Sequence, residues 1–157
     1  MLKKTMLGSV MTAALVLPVL ADKPADSRQA EKALLGQALF FDPSLSSPAG
    51  QSCATCHAAS AAFTDPNREL PVSKGVISGR VGNRNTPTAM YAAFSPDFHF
   101  DKEEGLYVGG QFLDGRAATL EEQAKGPFLN PLEMANPDKR SVVEKVRRAA
   151  YSPDFDK

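Results

Sequence analysis

Apolar positions fall along this chain in three distinct ways. Met6–Leu17 is a nearly continuous apolar run behind Lys3 and Lys4, and Val19-Leu20-Ala21 sets small residues where a signal peptidase cuts. The pattern predicts a cleavable secretory leader over residues 1–21, cut after Ala21. The run is shorter than the ~20 residues a spanning helix needs, so a membrane anchor is the weaker alternative. No Cys follows the cut to carry a lipid. The second kind of pattern is helical. Ala30, Leu34, Ala38 and Phe41 recur at helical spacing with Leu35 and Leu39 beside them, between an Asp26 or Ser27 N-cap and Asp42-Pro43. This predicts an amphipathic helix with that face inward, stopped by the proline. Thr119-Leu120-Glu121-Glu122 is a capping box for a short helix expected to end at Gly126-Pro127. A last helix is expected from Asn136 as N-cap and Pro137 at N1, with Val142, Val143, Val146, Ala149 and Ala150 as its buried stripe. The third kind has no period. Ser44–Gln51 and Thr64–Thr88 read as loops, and Ala89–Gly110 gathers Tyr91, Phe94, Phe98, Phe100 and Tyr107 without order. No stretch alternates as a strand does, and no repeat is visible. The expected fold is all-α, with about four short helices and long irregular loops.

Composition narrows the classes. The chain has 157 residues, enough for one modest domain, and its 12 Pro and 11 Gly exclude a long bundle or coiled coil. Apolar residues at 43% and charged residues at 23% are ordinary for a globular chain. Lys+Arg and Asp+Glu both total 18, so the basic excess of a nucleic-acid binder is missing. Loss of the leader removes Lys3 and Lys4 and no acid, leaving a net charge of −2. The expected product is exported, periplasmic in a bacterium, with one domain over residues 22–150 and an interdomain linker that breaks off over residues 151–157.

The two cysteines and one of the two histidines lie within five residues, Cys53-Ala54-Thr55-Cys56-His57. This is C-x-x-C-H, the attachment pattern of a c-type haem. Two thiols on one helical turn reach the two vinyl groups of a single porphyrin, and the next side chain offers an imidazole to the iron. One covalent haem per chain would then serve as much of the core of a small, loop-rich domain. A thioredoxin-like pair would sit beside a βαβ pattern, which is missing, and a zinc site would need a second ligand pair where only His99 and acids remain. The sixth iron position stays open between a side-chain ligand (Met90, His99 or Met134) and a vacant seat. Among these His99, lying amid aromatics, reads as an ordinary partly buried histidine.

Longer stretches resemble the bacterial di-haem cytochrome c peroxidase / MauG family. They are Leu35-Gly36 through Asp42-Pro43 with Leu45-Ser46, Ser52–His57, Ala62-Phe63-Thr64-Asp65, Gly82–Thr88, Gly110–Arg116, Leu120–Ala124 with Gly126-Pro127, and Asn130–Met134. The resemblance covers nearly all of the chain after the leader. It implies a cytochrome-c-like fold around the haem and reduction of hydrogen peroxide to water. The electrons would come from a small cytochrome c or cupredoxin, or from a second haem domain. By motif, Gln123, Pro127 and Glu133 match the family's distal residues, with Glu133 as acid/base and Gln123 as the amide that positions bound oxygens. Without the motif they read as a helix-surface Gln and an exposed loop Glu. Asn85 matches a residue that binds calcium at the domain junction of relatives, and otherwise reads as a turn residue before Thr86-Pro87. The resemblance also admits a homodimer.

Three departures change what it implies. Pro71–Ile77 lacks the His that caps the resting iron in some relatives, so an iron open to peroxide without prior reduction is expected. The family's Trp between two haems falls at Leu113, which cannot relay electrons as an aromatic ring does. The second C-x-x-C-H of relatives is missing, which reads as a partial family member. Beside the peroxidase reading stand a mono-haem electron carrier without catalysis, a MauG-like oxidase of a protein substrate, and a non-functional fragment.

Overall fold

Local chemistry accounts for each helix in the computed structural model, which describes residues 27–155. The leader over residues 1–21, the Asp26 cap and the last two residues of the expected linker lie outside the described residues. Helix α1 spans Ser27–Phe41 and stops where expected. Asp42 then accepts from the Ser44 amide at 2.8 Å and opens a 3-10 turn, Pro43–Leu45. Its face is not the one expected. Leu34 is 67% exposed and Phe41 50% exposed, and the half-buried positions are Leu35, Ala38, Leu39 and Phe40. The inward stripe is thus rotated, because Leu39, not Leu34, meets the core.

Helix α2 is a single turn, Cys53–Cys56, started by Ser52, whose amide donates to Thr55 Oγ1 at 3.0 Å. Residues 57–98 are mostly irregular, with 3-10 turns at Ala59–Ala61 and Ala92–Phe94. They are held by the isolated bridges Ala58↔Thr64 and Lys74↔Val81. A hairpin follows where no strand was expected. Strands β1 (His99–Asp101) and β2 (Leu106–Val108) pair antiparallel, with Phe100 opposite Tyr107. Asp101 Oδ1 ties the turn by accepting from the amides of Glu103 and Glu104, at 2.8 and 3.1 Å. The aromatics here are exposed, Phe98 stacking on Tyr107 at 5.2 Å between centroids, and His99 is exposed too, against the expectation of partial burial. The strands are only three residues long, too short for alternation to register in the sequence.

Helix α3 spans Leu120–Leu129 from the expected Thr119 cap, which accepts from the Glu122 amide at 3.2 Å. It runs through Pro127 instead of ending there. Pro127 offers no N–H to the Gln123 carbonyl, but the Asn130 amide bonds Gly126 O at 3.2 Å and closes the last turn. Helix α4, Lys139–Arg148, starts later than expected. Asn136 cannot cap it, because its amide nitrogen is drawn inside to Leu45 O (2.7 Å) and Phe128 O (2.8 Å) and its oxygen accepts from Lys145 (2.8 Å). Asp138 caps in its place, accepting from the Ser141 amide at 2.7 Å. One further turn, α5, covers Ser152–Phe155.

Leu45, Met134 and Val146 form the buried cluster, with Leu39, Phe128 and Tyr151 packed against it. Tyr151, assigned to the linker by sequence, thus sits on the core and donates its hydroxyl to Asp42 Oδ2. Helices and loops dominate the described residues, with the hairpin as a correction to the all-α expectation. No helix among them is long and apolar enough to cross a membrane.

Candidate functional site

The cysteines occupy positions three apart on α2, so both sulfurs leave one side of a single turn. Both are free thiols and half-buried. Burial pushes the Cys53 thiol up, and the neighbouring Cys56 adds to it. Burial also pushes Cys56 up, with hydrogen bonds from Gln51 and Ser73 opposing. The Gln51 amide nitrogen donates to Cys56 Sγ at 3.2 Å and to Lys74 O at 3.1 Å, while its oxygen is buried without a partner. His57 directly follows, its backbone amide bonded to Cys53 O at 2.8 Å. Its Nδ1 lies 3.0 Å from Phe63 O. A carbonyl only accepts, so Nδ1 carries the proton there and Nε2 keeps a lone pair for a metal.

Glu133 sits on the turn after α3, half-buried. Burial pushes its carboxyl up, opposed by a hydrogen bond from Asn130 and by the charges of Arg116 and His57. Asn130 Nδ2 donates to Glu133 Oε1 at 2.8 Å. Glu133 and Pro127 line one cavity of about 370 Å³, together with Phe112, Arg116, Ala117 and Asn130. Arg116 lies 3.6 Å over the Phe112 ring and bonds Asp114 at 2.8 Å, and Asp114 also holds Arg84 at 2.9 Å. Phe112, on the cavity wall, and Ala135, two residues past Glu133, lie in the left-handed region, φ 62° and 53°, where non-glycine residues are rare and functional sites frequent.

The remaining expected site residues are more scattered. Gln123 is half-buried and outside that lining, one helical turn before Pro127 on the same face of α3. Its side chain makes no hydrogen bond among the described residues. Asn85 is exposed, lines a different cavity with Asp65 and Arg68, and donates to Pro71 O at 3.0 Å. Of the alternative iron ligands, Met134 is 3% exposed and packed in the core, and Met90 and His99 are exposed. Leu113 is 60% exposed. The Pro71–Ile77 stretch is fastened to the acidic turn, with the Val76 amide on Glu133 O at 2.9 Å and Arg80 Nη1 on Pro131 O at 3.0 Å. Sequence reasoning missed Gln51, Asn130 and Arg116 as site residues. Asn130 and Arg116 stood in the Asn130–Met134 and Gly110–Arg116 motifs without a role assigned to either.

The residues present fit a haem c. Two adjacent thiols and a histidine with a free Nε2 are the donor set such a group takes. Among the described residues only Leu45, Ala117, Met134 and Val146 are buried hydrophobics, while Phe94, Tyr91, Tyr107 and Leu34 are more than half exposed. The side chains alone supply too thin an interior, as expected where a large apolar cofactor completes it.

The comparisons agree with this chemistry. A family model described as di-haem cytochrome c peroxidase matches residues 30–157. The chain is 48% identical over 149 residues to the methylamine utilization protein MauG of Paracoccus denitrificans, covering 91% of this chain and 38% of the relative. It is 38% identical over 133 residues to the cytochrome c peroxidase Ccp of Escherichia coli, covering 85% of this chain and 24% of that one. The crystal structure of the diheme peroxidase BthA from Burkholderia thailandensis superposes with a TM-score of 0.73 at 34% identity, over 83% of this chain and 32% of that chain. The chain therefore spans well under half the length of these relatives.

Proposed function

Because the chain belongs to the di-haem cytochrome c peroxidase family, we propose that residues 22–150 form its peroxidatic haem domain. The domain would reduce hydrogen peroxide to water in the periplasm. Cys53 and Cys56 would carry the thioether links of one haem c, and His57 Nε2 would ligate its iron. When bound, the haem supplies the redox centre through which two electrons reach the substrate. The observation that carries the reading is the gathering of Glu133 and Pro127 on one cavity, with Glu133 within electrostatic reach of His57.

The chain's own residues supply the proton chemistry. Glu133 takes a proton from one peroxide oxygen and returns it to the other as the O–O bond breaks, which with two electrons and two protons yields two waters. Asn130 holds one carboxylate oxygen and leaves Oε2 without a hydrogen-bond partner among the described residues. The unengaged amide of Gln123 donates to the substrate oxygens, and Pro127 and Phe112 wall the cavity. Electrons come from a small cytochrome c or cupredoxin, or from a second haem domain of the kind the relatives' names describe. Calcium at Asn85 would take the side-chain amide oxygen together with other oxygen donors. A second reading, MauG-like oxidation of a protein substrate, is favoured by the higher identity to MauG than to the Escherichia coli peroxidase.

The test is production of the chain with haem-maturation machinery, followed by spectroscopy and peroxide turnover with a reduced small cytochrome. A high-spin ferric spectrum that changes rapidly with peroxide is expected, with Glu133→Gln lowering turnover about 10²–10⁴-fold. A low-spin six-coordinate spectrum inert to peroxide would establish the electron carrier in its place.

A further inference from the structure

We propose that Asn130 is the positioning residue for Glu133, holding its carboxyl group in the orientation that proton transfer requires. The inference rests on the peroxidase reading and adds to it a residue outside the expected distal set. Asn130 uses both ends of its side chain. Oδ1 accepts from the Leu132 amide at 3.0 Å, which shapes the turn, and Nδ2 donates to Glu133 Oε1 at 2.8 Å. Its backbone oxygen also accepts from the amides of Glu133 and Ala135, each at 3.0 Å. An Asp in this position would shape the turn equally well through its own oxygen. The amide, unlike an aspartate, also gives Glu133 a donor, and this second bond is what a turn residue has no need of.

The consequence follows from the surroundings of the carboxyl. Arg116 faces Glu133 from the loop before α3, His57 and Cys56 from α2 and its end, and Glu122 lies on the same cavity. Burial favours the neutral acid. The Asn130 bond favours the carboxylate, and it fixes which oxygen is engaged and which is left for substrate.

The experiment compares Asn130→Asp and Asn130→Ala with the wild type in the haem-loaded chain. The aspartate keeps an acceptor for the Leu132 amide and removes the donor to Glu133; the alanine removes the donor without adding a charge. The first readout is the Glu133 carboxyl stretch followed by infrared pH titration and assigned by its loss in Glu133→Gln. The second is the pH profile of peroxide turnover. In both variants the Glu133 titration and the acid limb of turnover are expected to move to higher pH. Turnover should fall about 10–100-fold, with the haem spectrum unchanged in both and the thermal midpoint unchanged in Asn130→Asp, which keeps the bond from the Leu132 amide. In a Glu133→Gln background neither substitution should cost further turnover. An unshifted carboxyl titration in both variants overturns the inference whatever the turnover. A haem-loaded wild type that does not turn over peroxide overturns the peroxidase reading instead, and the infrared titration still reads the Asn130 bond in that case.

Discussion

Glu133 and Asp42 are both carboxylates in partly closed surroundings, and their environments drive them in opposite directions. At Glu133 burial prevails, so the acid form persists to higher pH than for an ordinary glutamate. A base must be ionised before it takes a proton, so turnover should decline as pH falls through that raised value, and Glu133→Gln should remove this limb from the profile. At Asp42 burial also pushes upward, but hydrogen bonds from Ser44 and Tyr151 and the charge of Lys145 outweigh it, and the net shift is downward. A carboxylate lowered in the folded state adds stability above its unfolded pKa of about 3.9, and the gain disappears as pH falls through the folded value. Tyr151→Phe should therefore cost about 1 kcal/mol near neutral pH and progressively less in acid, as read by urea unfolding at several pH values. Legibility at this scale divides by the distance between partners along the chain. Cys53, Cys56 and His57 could be read because the spacing that a haem c would demand of them is local. Tyr151 with Asp42, and Arg116 facing Glu133, come together only through folding, and no spacing rule announces them.

Elements meet tightly where the Pro71–Ile77 stretch crosses the turn after α3. A Cβ on Gly75 would stand 2.3 Å from Leu132 O, next to the bond from the Val76 amide to Glu133 O. Gly75→Ala should force these strands of chain apart, lower the thermal midpoint by an amount equivalent to about 1–3 kcal/mol, and slow peroxide turnover by displacing Glu133. Normal turnover at an unchanged midpoint would show that the crossing tolerates the methyl group. Helix existence was legible and helix limits were not. Thr119 and Pro43 act through bonds or rings of their own neighbourhood, so α3 began and α1 ended where expected. Asn136 had the right chemistry for a cap, but three buried partners claimed its amide, and α4 begins at the next residue able to serve. The face of α1 was misread because Leu34 and Leu39 both fit helical spacing, and only contact with Leu45, Met134 and Val146 chooses between them.

For the whole molecule, the small number of enclosed hydrophobics among the described residues would make a bound haem a structural member as well as a redox one. A Cys53→Ala/Cys56→Ala chain, produced under the same maturation conditions, should be colourless. A nonspecific protease should digest it at least about tenfold faster than the haem-loaded form. Equal resistance would show that the polypeptide packs adequately alone. The long irregular segment was legible as such because its glycines, prolines and polar side chains carry no helical or strand period. The same thin interior bears on how such a sequence drifts over time. Where few side chains are enclosed on every side, few positions are policed by packing, and ancestry is recorded in short islands of chemistry separated by tolerant stretches. Saturation mutagenesis of this domain should accordingly give a jagged tolerance profile, steep at the thiol pair, its histidine, the acidic turn and Leu45, and shallow across the exposed rings of the hairpin.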